Sequence, residues 1–118
     1  MNDPVEMARA FFEHTGRRGE FDEDAARRMM DHLSEHGILI ISDTGMIGGF
    51  VTPLWPTGEI VAQEMFWWGD ASLLTQFETR ARKMGATAIH MMSLNQRVAD
   101  HYLARGYTQL ETVWVKEF

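Results

Sequence analysis

Cysteine is absent from the 118 residues. That excludes disulfides, thiolate zinc sites and a cysteine nucleophile, so any thiol chemistry must arrive with a bound molecule. Basic charge is thin as well: eleven Lys and Arg, scattered along the chain, stand against seventeen Asp and Glu, for a formal net charge of −6. No basic stripe is left to neutralise phosphates, and the expectation is no nucleic-acid partner. No apolar run approaches the roughly 20 residues that a spanning helix needs, and Met1-Asn2-Asp3-Pro4 lacks the basic start of a secretory leader. A cytoplasmic protein with no membrane partner is expected. What remains is ordinary for a folded chain, with 45% hydrophobic and 24% charged residues, a length suited to one domain over 1–118.

Asp3 before Pro4 and Glu6 is a helix N-cap pattern, and Val5, Ala8, Phe11 and Phe12 give an apolar stripe, so a first helix is predicted to about His14. Asp22 caps a second, carrying Ala25, Ala26, Met29, Met30 and Leu33 and closed at Gly37. From Ile38 the period changes to that of a hairpin: Ile38–Ile41, a turn at Asp43-Thr44-Gly45, and a return strand from Met46 to Thr52. Pro53 and Pro56 end it, and Glu59–Trp68 is a central strand rich in β-formers. Ala71–Met84 puts Leu73, Leu74, Phe77, Ala81 and Met84 on one helical face, stopped by Gly85. A buried strand from Thr87 to Ser93, a helix from Asn95 to Arg105 and an alternating strand from Tyr107 to Val115 complete the chain. The segment from Glu59 to Met92 is long enough for a right-handed crossover, so those two strands are expected to be parallel neighbours in a mixed sheet.

The segment Asn95-Gln96-Arg97-Val98-Ala99-Asp100-His101-Tyr102-Leu103-Ala104-Arg105-Gly106-Tyr107 resembles the last helix of the GNAT superfamily of N-acetyltransferases. The Asn, a Tyr seven residues on, and the Gly-aromatic pair that ends the helix match that family, as do the element order from Ile38 onward and the Ile47-Gly48-Gly49-Phe50 hairpin. Ala62-Gln63-Glu64, Trp67-Trp68 and Phe77-Glu78 are similar to acetyltransferase-like proteins of phages and prophages. The resemblance implies an α/β fold with a mixed, mostly antiparallel sheet, a splayed parallel strand pair and about four flanking helices. It also implies acetyl-coenzyme A (acetyl-CoA) lying in the splay, against the backbone of Phe66, Trp67 and Trp68. Under it, Tyr102 protonates the departing thiolate, Asn95 hydrogen-bonds near the pantetheine, and Glu64 deprotonates an acceptor amine. A splayed pair suits such a ligand physically, because pantetheine amides can satisfy backbone groups that lack a neighbouring strand.

The chain departs from that pattern where the cofactor phosphates would sit. The family places a basic, glycine-rich loop after the central strand, whose amides and helix end hold the pyrophosphate. This chain has Trp68-Gly69-Asp70-Ala71-Ser72 there, roughly six to eight residues short of the usual loop. No Arg is present, and Asp70 brings a negative charge where phosphate should lie. The amides near Ala71 and Ser72 remain available, but weak or lost cofactor binding is expected. Two readings therefore stand: an acetyl-CoA-dependent N-acetyltransferase acting on an unidentified amine, and a phage or prophage accessory protein that keeps the fold as a binding or assembly module. A third is a hybrid whose phosphate site a partner subunit completes.

Other motifs are weighed against plainer roles. His32-Leu33-Ser34-Glu35-His36 matches a zinc-peptidase spacing, but it closes a helix, where histidines meet the C-terminal dipole, and no third ligand is evident, so no metal is expected. His90 and His101 are read as hydrogen-bonded structural residues. Trp55, Trp67 and Trp68 suit either packing or an acceptor cleft, and the nine methionines fill the core. A homodimer through the sheet edge or the last strand is a further expectation.

Overall fold

A computed structural model describes residues 3–16, 19–93, 95–110 and 114–118. The first helix, α1 (Pro4–Thr15), begins where the Asp3 carboxylate accepts from the Val5 N–H at 2.9 Å, and it ends at Gly16, whose φ of 67° suits a residue without a Cβ. The second, α2 (Glu23–His36), starts the same way, with Asp22 accepting from the Ala25 N–H at 3.0 Å. Four strands follow: β1 (Ile38–Ile41), β2 (Met46–Pro53), β3 (Ile60–Trp68) and, after helix α3 (Ala71–Lys83), β4 (Ala88–His90). Helix α4 (Gln96–Ala104) comes last.

The sheet order is β1-β2-β3-β4, with the first two pairings antiparallel and β3–β4 parallel. This is the mixed, mostly antiparallel sheet expected, with the α3 crossover joining the parallel pair. Two cores cover its faces. Met7, Met30 and Met46, with Phe66 and Trp68 against them, fill the space under α1 and α2. Ile38, Ile47, Ala62, Leu73, Leu74, Phe77, Ala81 and Tyr102 form the core under α3 and α4. Gly48 opposes Phe66 while Gly49 opposes Glu64, so Met65 has no partner across the ladder and forms a bulge. The bulge resets the alternation, sending Phe66 and Trp68 to the α1/α2 side and Trp67 to the α4 side.

Two expectations about strands are corrected. The strand predicted over Thr87–Ser93 is confined to Ala88–His90, because the backbone of Met92 bonds side chains in place of a neighbouring strand. The strand predicted from Tyr107 to Val115 is not formed at 107–110 or 114–115, and 111–113 lie outside the described residues. An alternating segment becomes a strand only when an edge is there to pair with, and β4 offers three residues. Leu110, Trp114, Val115 and Phe118 are left exposed. Among the described residues, no helix is long and apolar enough to cross a membrane.

Candidate functional site

The parallel ladder joins Val61 to Ala88, Ala62 to Ile89 and Gln63 to His90, then stops. At the next residue of β3, Glu64 turns its side chain into the space between the strands and is only 3% exposed. The Met92 N–H donates to Glu64 Oε2 at 3.2 Å, and the Tyr102 hydroxyl donates to the Met92 carbonyl at 3.0 Å. Both backbone polar groups of one residue are thus satisfied by the two side chains that the sequence nominated for proton transfer. The parallel pair is splayed, with side chains in place of a ladder.

Burial sets the electrostatics. Removing the Glu64 carboxylate from water pushes its pKa up to about 7, with the Met92 N–H pulling weakly the other way. Tyr102 is pushed above the ordinary phenol value, first by burial and then by the neighbouring charges of Glu64 and Tyr107. One group therefore exchanges its proton near neutrality, while the other keeps its proton. A cavity of about 60 Å³ lies between them, lined by Phe11, Glu64, Met65, Trp67, Met92, Val98 and Tyr102. With about 10–15 Å³ needed to admit one water by this measure, that is room for a few non-hydrogen atoms, as in an acetyl group.

Trp67 walls the cavity. Its ring centroid lies 5.7 Å from that of His101 and 6.0 Å from that of Tyr102, and its indole N–H donates to the Asp70 carbonyl at 3.1 Å. Among the described residues, His101 Nε2 is a buried side-chain nitrogen without a hydrogen-bond partner. Phe66 and Trp68 pack in the α1/α2 core, 6.5 Å from Phe11, which also reaches the cavity, and 5.5 Å from His14 between ring centroids. On the β4 side, β3 has no strand partner beyond Gln63 among the described residues. Asn95 is the N-cap of α4, its side-chain oxygen accepting from the Val98 N–H at 3.0 Å.

The connection from β3 to α3 is two residues long, Gly69 and Asp70. Gly69 has φ 136°, and a Cβ on it would lie 2.7 Å from Leu73 Cδ1, so the tight turn requires glycine. Asp70 caps α3: one carboxylate oxygen accepts from the Ser72 N–H at 3.0 Å and from the Ser72 hydroxyl, the other from the Thr44 hydroxyl at 3.4 Å. Ala71 and Ser72 form the first turn behind this cap.

The residues present fit one half of acetyl-CoA and not the other. An acetyl-sized cavity between a carboxylate and a phenol, beside an unpartnered strand side, suits the thioester end. The start of α3 does not suit pyrophosphate, because a carboxylate of the chain already occupies it.

Sequence reasoning located Glu64 and Tyr102 but missed Met92, Met65, Phe11 and Val98. Met92 acts through its backbone and the bulge at Met65 depends on the pairing of two strands, so neither leaves a signal in one chain. A second cavity, of about 360 Å³, lies between α3, the start of β4 and the residues after α4, beside Glu78, Arg82 and Arg105. Glu78 accepts there from Arg105 and from the Tyr107 hydroxyl at 2.8 Å, which makes it a satisfied ion pair at the helix ends. The His32-to-His36 motif stacks its two rings at 5.1 Å against each other, with His32 also on Phe50. Among the described residues, no group of three or more His, Cys, Asp or Glu side chains is placed to hold a metal ion.

With this geometry in place, comparison with solved structures shows what fold this is. The chain has the fold of the GNAT-family acetyltransferases. A putative acetyltransferase from Pyrococcus furiosus superposes with a TM-score of 0.71 at 14% identity, over 98% of this chain and 91% of that one. A GNAT-family acetyltransferase from Staphylococcus aureus gives 0.64 at 13%, over 97% and 89%. AAC(6')-Iy, solved in complex with the bisubstrate analogue CoA-S-monomethyl-acetylneamine, gives 0.67 at 14%, over 97% and 90%. No family model matches the sequence, and no curated protein does.

Proposed function

We propose that the protein transfers an acetyl group from a thioester donor, acetyl-CoA or a fragment of it, to a primary amine. The observation that carries this reading is the placement of Glu64 and Tyr102 on the two backbone groups of Met92, around an acetyl-sized cavity at the strand splay. The fold likeness supports it, since AAC(6')-Iy was solved with a conjugate of CoA and an acetylated amine.

The chemistry follows from the two protonation states. Glu64, with its pKa near 7, is partly carboxylate at neutral pH and takes the proton that the amine sheds as its nitrogen bonds the acetyl carbon. Tyr102 stays protonated and delivers its proton to the sulfur as the carbon–sulfur bond breaks. The products are an amide and a free thiol, and the Glu64 proton passes back through solvent to restore Tyr102. With no cysteine in the chain, transfer is direct and needs no acyl-enzyme.

The test is thiol release from acetyl-CoA at millimolar concentration with a panel of primary amines. Turnover that disappears in Tyr102→Phe supports the reading, and no turnover with any amine counts against it. A second reading is favoured by the capped start of α3: a binding or assembly protein that keeps this fold without using the donor, of phage or prophage origin. It predicts that neither coenzyme A nor pantetheine stabilises the fold.

A further inference from the structure

A helix that begins with free amides can receive a phosphate, and α3 does not begin that way. The Ser72 N–H is given to Asp70, the Ser72 and Thr44 hydroxyls are given to the same carboxylate, and the Asp70 carbonyl accepts from the Trp67 indole and, at 3.3 Å, from the Leu73 N–H. Hydrogen bonds, the Ser72 hydroxyl first, hold the Asp70 carboxyl below its ordinary pKa, with no cation contributing. The position is therefore a fixed negative charge. Gly69 meets Leu73 too closely for the turn to carry a side chain. With two residues between strand and helix there is no slack from which a cradle of amides could be built.

The opposite holds at the thioester end. Beyond Gln63 the β3 backbone lacks a strand on its β4 side among the described residues, and Glu64, Tyr102 and Met92 surround space for the acyl group. Recognition of a donor is thus concentrated at one end of the molecule and opposed at the other.

We infer that the donor is recognised by its acyl-pantetheine end alone, so that pantetheine thioesters lacking the nucleotide serve as well as acetyl-CoA. This rests on the acyl-transfer reading of the Glu64–Tyr102 site and narrows its substrate class. The bond changes are those of that reading, with the sulfur leaving as pantetheine thiol.

Calorimetric titration of the full chain with pantetheine, coenzyme A and adenosine 3',5'-bisphosphate tests it without an acceptor. The expected result is pantetheine and coenzyme A binding within about threefold of each other and the bisphosphate not binding at millimolar concentration. Asp70→Asn keeps a good N-cap and removes the charge, so it should tighten coenzyme A at least about threefold while leaving pantetheine unchanged. Coenzyme A binding about tenfold or more tightly than pantetheine to the unaltered chain would overturn the inference while leaving acyl transfer standing. An Asp70→Asn chain with unchanged affinity for coenzyme A would overturn the part assigned to Asp70. Failure of both pantetheine and coenzyme A to bind would overturn the acyl-transfer reading itself, and this inference with it.

Discussion

Replacing Glu64 with Gln should make the protein more stable and less active. The carboxyl titrates at 4.5 in an unfolded chain and near 7 in the fold, where it is buried. The folded chain holds this proton more tightly, so folding takes up a proton between those two values. The fold is accordingly favoured below pH 4.5, loses stability as pH climbs toward 7, and is level above that. The shift corresponds to about 3 kcal/mol of penalty at pH 8. Glutamine is neutral throughout and retains an oxygen for the Met92 N–H. At pH 8 the variant should exceed the parent by up to about 3 kcal/mol, on the order of 10 °C in melting temperature for a domain of this size. At pH 4.5 the two should coincide. Urea unfolding across pH 4.5 to 8 measures this, and contributions from other titrating groups cancel in the difference between the two chains. Parallel curves, or a glutamine variant less stable at pH 8, would refute the claim that burial strains this carboxylate. Acetyl transfer should meanwhile fall by roughly 10²–10⁴, the range for loss of a general base.

Tyr102→Phe should lower transfer by a similar factor while costing only about 1 kcal/mol in denaturant, since one part-buried hydrogen bond to the Met92 carbonyl is lost. The pH profile of kcat/KM should rise through about 7, as Glu64 loses its proton, and Glu64→Gln should abolish that limb. Gly45→Ala would drive its Cβ into the Trp68 carbonyl oxygen at the end of β3, and a loss of about 3 kcal/mol by thermal melting is expected. Phe77→Ala, at a fully buried side chain in the α3 core, should cost about 3–5 kcal/mol in the same measurement.

Elements whose cause is local were legible in the sequence. Asp3 and Asp22, read as caps from the sequence, each cap the helix that follows, because a cap is a contact between residues two or three apart; the caps Asp70 and Asn95 were not read as such. The hairpin around Gly45 was readable for the same reason. What escaped depends on distant segments meeting. The stretch from Tyr107 carried a strand pattern, but its pairing needed an edge that the three residues of β4 do not supply. At the site, Glu64 and Tyr102 could be named through the resemblance of their segments to the GNAT superfamily. Their shared attachment to Met92 joins positions 28 and 10 residues apart, and only the fold brings them together. Asn95 shows the reverse: its helix-capping oxygen is explained by neighbours alone, whatever its amide does for a ligand.

The two side chains that grip Met92 differ in what their survival through mutation would mean. Tyr102 repays the fold for its place, filling the α4 core and bonding the Met92 carbonyl, so an inactive descendant would still do well to keep it. Glu64 is a standing cost above neutral pH that an amide would relieve. In a lineage drifting free of chemistry, the carboxylate should be the first of the pair to go. Under the acyl-transfer reading, position 64 is therefore the one whose side chain the fold alone does not explain.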